Sequence, residues 1–189
     1  MIGRMVRPRS PRAADALDPT TAARLAEAPL TYAEVGGTLA PALPGGYHHL
    51  DATGPLGTGD AVFADAAERL LRWGVQLGAG LRVAASSPVV EPGAVALVRV
   101  GVGPARLPAP VRVVALVDEP GRRGFVYGTL PHHPESGEEL FAVEQAYDGT
   151  VALRVRAFSR PATLLSRAAG PLGRVGQRAI TARYLRALR

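Results

Sequence analysis

Gly124-Phe125-Val126-Tyr127-Gly128-Thr129-Leu130-Pro131-His132-His133-Pro134-Glu135-Ser136-Gly137-Glu138-Glu139-Leu140-Phe141 reads as two apolar strands joined by a tight loop. The loop gathers two His and a carboxylate, and two more carboxylates open the second strand. Strands fix side-chain direction with a period of two, so such a loop concentrates ionisable groups at one end of a sheet.

Working outward, short β-branched or alternating runs continue on both sides. Leu81–Ala85, Ala94–Val102, Val111–Asp118, Gly124–Leu130, Glu139–Tyr147 and Val151–Phe158 are separated by Ser-Pro, Gly-Pro, Glu-Pro-Gly, Pro-Glu-Ser-Gly and Asp-Gly signals. Asp148-Gly149 is a hairpin turn. Consecutive strands with links this short pair antiparallel, because parallel pairing needs long crossovers. Arg154 and Arg156 alternate with Val151, Leu153 and Val155, which predicts one wet and one dry face.

Before the strands, Asp18-Pro19-Thr20 opens a short helix over residues 20–27, with Asp18 as N-cap. Thr31 and Glu34 have capping-box spacing and suggest a second short helix. Tyr47–Thr53 is a first strand closed by Gly54-Pro55. From Asp60, Val62, Phe63, Ala66, Ala67, Leu70, Leu71 and Trp73 recur at helical spacing. The tail from Pro161 is helical, with an apolar stripe and a break at Gly170-Pro171.

This order predicts an α+β helix-grip: a curved antiparallel sheet of about six or seven strands around a long C-terminal helix. Residues 1–16, rich in Arg and Pro, are expected as a disordered tail. Residues 17–189 form one domain, with the helix-grip core from about 47 to 189.

Composition narrows the function classes. Of 189 residues, 47% are hydrophobic, 20% charged and 5% aromatic, which suits a globular domain. There is no Cys, so disulfides, thiolate zinc sites and Cys nucleophiles are excluded. No apolar run reaches the roughly 20 residues needed to cross a bilayer. Met1–Arg12 lacks the apolar core of a secretory signal, and a cytoplasmic location is the expectation. All 22 basic residues are Arg, and the net charge of +6 resides at the two ends. Residues 13–159 hold every acidic residue and carry a net charge of −5. Arg without Lys fits a genomic base-composition bias as well as a nucleic-acid role.

Several separated motifs recur in a familiar order. They are Leu30-Thr31-Tyr32, Leu43-Pro44-Gly45-Gly46-Tyr47, Gly57-Thr58-Gly59-Asp60, Tyr127-Gly128-Thr129-Leu130-Pro131, His133-Pro134-Glu135-Ser136-Gly137-Glu138-Glu139, Phe158-Ser159-Arg160-Pro161 and Arg183-Tyr184-Leu185. Through them the chain resembles Uncharacterised Protein Family 0548, over about residues 30–188. The resemblance implies an association with the START-like, birch-pollen-allergen-like helix-grip superfamily, whose members typically enclose apolar ligands and include some enzymes. It implies no catalytic residues.

Three functions are compatible with these residues. The leading expectation is a protein that binds an apolar or amphipathic small molecule between sheet and helix, without a cofactor. Tyr127, Phe125, Phe141, Phe158, Trp73 and His133 are its candidate ligand contacts. The second is an enzyme pairing His133 with Glu135 or Glu138 as acid and base. The third is docking on an anionic partner through Arg160, Arg167, Arg174 and Arg178, which fall near one side of a helix. Few aromatics interleave those Arg residues, which argues against nucleic acid. A metal site is not expected: His48 and His49, adjacent on a strand, point to opposite faces, and no helical His spacing is present. Gly101-Val102-Gly103 lacks the context of a phosphate-binding loop.

Overall fold

The six alternating runs after residue 81 form six consecutive antiparallel strands. They are β3 (Arg82–Ala85), β4 (Val95–Val100), β5 (Leu107–Glu119), β6 (Arg122–Thr129), β7 (Glu135–Gln145) and β8 (Thr150–Pro161). The computed structural model describes residues 13–100, 107–162, 176 and 178–189. Gly149 takes a positive φ of 82°, and the Thr150 amide donates to Asp148 Oδ1 at 2.9 Å, closing the turn before β8.

Two further strands complete an eight-stranded sheet in the order β1-β3-β4-β5-β6-β7-β8-β2. β1 (Asp15–Ala16) pairs parallel with β3, although residues 15 and 16 fall within the expected tail. The rest of the expected tail, residues 1–12, lies outside the described residues. β2 (His48–Thr58) runs five residues past its expected end and pairs with β8. Pro55 does not stop it, because β2 is an edge strand with no ladder partner on one side. A register shift between Pro55 and Gly57 absorbs the irregularity.

α1 (Pro19–Glu27) is capped as expected, with Asp18 Oδ1 accepting from the Thr21 amide at 2.9 Å. The second expected helix is absent: residues 31–42 are turns and bends. The Thr31 amide donates to the Thr129 carbonyl at 3.1 Å, and the Gly36 and Thr38 amides are drawn to Glu138. Long-range bonds take the donors that a local capping box would have used. α2 (Asp60–Leu70) matches the helical spacing and stops before Trp73, whose φ of 61° turns the chain into α3 (Gly74–Gly78). Pro161 ends β8 rather than starting a helix. Most of the expected C-terminal helix lies outside the described residues; a short helix over residues 178–184 is seen.

The sheet has a packed inner face. Phe125, Tyr127, Phe141, Val143, Leu153 and Val155 meet α2, α3 and the C-terminal residues Tyr184, Ala187 and Leu188 there. The C-terminus fits closely against glycines. A Cβ on Gly54 would lie 2.6 Å from the Leu185 carbonyl oxygen, and one on Gly78 would strike Ala187.

The outer face is only partly wet, contrary to the alternation read on β8. Arg112 donates to the Ala26 and Ala28 carbonyls, both at 2.9 Å, holding the end of α1. Arg156 donates to the Thr38 and Ala40 carbonyls at 2.7 and 2.6 Å. With Glu138, these side chains clasp the N-terminal segment to the sheet.

Candidate functional site

Residues 131–134 link β6 to β7, and His132 adopts a φ of 74°. His133 folds back so that its Nδ1 lies 2.9 Å from the Glu135 amide and 2.8 Å from the Glu135 carbonyl. Burial lowers the imidazole to about 4, so the ring is neutral at pH 7. His132, His133, Thr31, Ser136, Arg160, Pro161 and Ala162 line an open groove of about 650 Å³. The guanidinium of Arg160 sits 5.0 Å from the centre of the Tyr47 ring.

The acid–base candidates make different contacts. Glu138 is 2% exposed and faces outward. Tyr32 Oη donates to its Oε2 at 2.8 Å and the Gly36 amide to the same oxygen at 2.7 Å. The Thr38 amide and hydroxyl donate to Oε1 at 2.9 and 2.7 Å. All of this binding capacity goes to holding residues 32–38. Burial raises the Glu135 carboxyl, opposed by Ser159 and His48. Its Oε2 has no hydrogen-bond partner among the described residues.

Glu139 points the other way. On the inner face it forms a cross-strand row with Tyr127 on β6, Ala157 on β8 and Leu50 on β2. Tyr127 Oη donates to Glu139 Oε2 at 2.7 Å. The Tyr184 hydroxyl adjoins that of Tyr127, and its ring meets Phe141 edge-on at 5.3 Å. Burial raises Glu139 to about 7 and raises both phenols further above their ordinary range, with the Glu139 charge acting in the same direction.

Burial changes along the inner face. One row further from the loop, Phe125, Phe141 and Val155 are 0% exposed, and Val143 and Leu153 beyond them are also sealed. In the row nearer the loop, Glu139, Ala157 and Leu50 each keep accessible surface. The inner face is thus packed solid beneath α2 and α3 and is accessible toward the 131–134 loop.

Residues 31–187 match the family described as a domain of unknown function, DUF1990. The chain belongs to this family. A UPF0548 protein of Deinococcus radiodurans is 48% identical over 77 residues, which covers 41% of this chain and 39% of that relative's length. The DUF1990 chain therefore has the family membership that its spaced motifs imply. Among solved structures, hypothetical protein jhp0584 from Helicobacter pylori superposes with a TM-score of 0.55 at 8% identity, over 79% of this chain and 91% of that one. That likeness is one of fold. Ara h 8.0201 (TM-score 0.48, 15% identity, 76% of this chain and 99% of that one) and the Zhui aromatase/cyclase of Streptomyces sp. R1128 (0.49, 18%, 75% and 91%) are further similar structures.

The structure brings together some of the DUF1990 residues singled out from sequence and parts others. Trp73, Phe125, Tyr127 and Phe141 share the inner face, with Trp73 and Phe125 centroids 5.7 Å apart and Phe125 and Phe141 5.5 Å apart. Phe158 belongs to the outer face, packed 4.9 Å from Tyr47 and 5.5 Å from Tyr32. Arg160 ends β8 and Arg178 is exposed, while Arg167 and Arg174 lie outside the described residues. No group of three or more His, Asp or Glu side chains among the described residues can hold a metal ion. No helix among them is long and apolar enough to cross a membrane.

Glu139 and Tyr184 are what sequence reasoning missed. The signal was present in part: Glu139 stands two residues before Phe141, and therefore on the same face.

Proposed function

We propose that this protein binds an apolar or amphipathic small molecule between the inner face of its sheet and its C-terminal helix. The observation that carries this reading is the change of burial along that face: sealed at Phe125 and Phe141, accessible at Glu139, Ala157 and Leu50. An apolar body would rest against Leu50 and Ala157, gaining about 25 cal/mol for each Å² of apolar surface removed from water. A polar end would meet Glu139, and such a group fixes orientation more than it adds affinity. The family association with helix-grip proteins supports the same reading. No cofactor is required.

Native mass spectrometry of protein purified from its own host tests it. A small molecule retained under gentle conditions and released on denaturation is the expected result. A clean apo mass, with no shift against a lipid and metabolite panel, would contradict it.

A further inference from the structure

Glu139 is a half-buried carboxyl with no cation beside it among the described residues. From β6 it faces Tyr127, from the C-terminal helix Tyr184, and across β8 it faces Ala157. Among the described residues, burial raises its carboxyl, the Tyr127 hydrogen bond opposes that, and no Arg or His contributes. Other carboxylates on the sheet contrast with it. Asp51 is paired with Arg154 at 2.7 Å, Glu144 with Arg122 at 3.1 Å, and Glu138 is saturated by four donors.

The surroundings of Glu139 are also distinctive. Among the described residues, Tyr127 alone donates to it, and it does so to one oxygen. Tyr127, which bonds Glu139, packs 5.4 Å from Phe141, and Phe141 packs 5.3 Å from Tyr184, so this part of the face is otherwise aromatic. An enclosed carboxylate costs free energy unless it is paired. A carboxylate on an apolar face, with one oxygen free of donors, receives an ammonium group through a charge-assisted ion pair. The missing partner is a cation small enough to enter from the accessible row.

We infer that Glu139, Tyr127 and Tyr184 form a recognition centre for a basic nitrogen, and that the ligand class is an amphipathic amine. The inference rests on the binding reading above and specifies its ligand. Ionised Glu139 pairs with the ammonium, Tyr127 keeps the carboxylate oriented, and the hydrocarbon lies against the apolar inner face. An alcohol of equal length makes the same apolar contacts without the ion pair. A fatty carboxylate meets like charge.

Isothermal titration calorimetry of the full chain with decylamine, decanol and decanoate, each below its aggregation threshold, tests the inference. At pH 8 decylamine should bind at least tenfold more tightly than decanol. Glu139→Gln should erase that preference. In the wild-type protein the amine-to-alcohol affinity ratio should rise between pH 5.5 and pH 8, since decylamine stays cationic and Glu139 is the group that ionises. This second measurement decides the matter even if the variant fails to fold. Equal affinity for amine and alcohol, a preference that survives Glu139→Gln, or a ratio flat with pH would overturn the amine inference and leave the binding reading intact. Binding of none of the three would overturn both.

Discussion

Glu138 and Glu139, neighbours in β7, are sent to opposite faces of the sheet and do opposite work. Glu138 accepts four hydrogen bonds from Tyr32, Gly36 and Thr38 and fixes the N-terminal segment to the outer face. Glu139 accepts one from Tyr127 on the inner face and keeps accessible surface. The first carboxylate is saturated by donors, and the second keeps unused acceptor capacity.

Glu138→Ala should therefore be strongly destabilising. It removes a buried acceptor and orphans two amides and two hydroxyls at once. Loss of one partner of a buried, charged hydrogen-bond set costs about 3–5 kcal/mol. Tyr32→Phe removes one donor and should cost about 1–2 kcal/mol. Urea unfolding of the two variants checks the order; equal, small effects would show that the segment is held by other contacts.

Stability should respond to pH through Glu139. Its carboxyl rises from an ordinary 4.5 to about 7 in the fold, because burial disfavours the charge. The folded state holds a proton that the unfolded chain has released, so this contribution is whole below about pH 4.5 and is lost as pH rises through 7. Glu139→Gln should gain stability relative to wild type across that window. Paired thermal melts at pH 4.5 and 7.5 measure it, and a constant difference would contradict the assignment.

His133 acts with the opposite slope. Its imidazole falls from 6.5 to about 4 on burial, so its contribution is complete above 6.5 and is lost as pH falls through 4. His133→Asn keeps an acceptor for the Glu135 amide and removes the titration. The stability advantage of wild type over this variant should shrink between pH 6.5 and 4, as followed by urea unfolding at several pH values.

Gln76 in α3 is fully buried, and neither side-chain polar atom has a hydrogen-bond partner among the described residues. Replacing the amide with a similar apolar volume, Gln76→Met, should stabilise by about 1–3 kcal/mol, the cost of an unsatisfied buried group. A loss of stability would show that the amide has a bound water or ligand as its partner.

Gly54→Ala should displace the C-terminus. A Cβ at that position meets the Leu185 carbonyl at 2.6 Å and the Leu185 side chain at 2.9 Å. A cost of about 1–3 kcal/mol is expected, with faster amide exchange over residues 181–188. Unchanged exchange there would mean that the strand yields instead.

Much of this fold was legible because β-strands carry a simple code. Alternation in Val151–Phe158 and the Asp148-Gly149 turn identified β8 and its entry, and Asp18-Pro19 identified α1. β2 was read short because Pro55 looks like a strand end, and only its edge position explains its tolerance. The turns at residues 31–42 were misread because Glu138, about a hundred residues away, claims their amides. The site was legible in composition but not in direction. Phe158 was grouped with Phe141 although their faces differ, and the pairing of Tyr127 with Glu139 depends on a β6–β7 register that no single strand reveals. Tyr184 reaches them only through tertiary packing.

The central claim is that a ligand occupies the accessible end of the inner face. Two-dimensional methyl NMR during a decanol titration tests it most directly. Shifts at Leu50 and Ala157, with Leu140, Val126 and Ala142 on the outer face unmoved, are the predicted result. Saturable shifts confined to the outer face, or none anywhere, would contradict it.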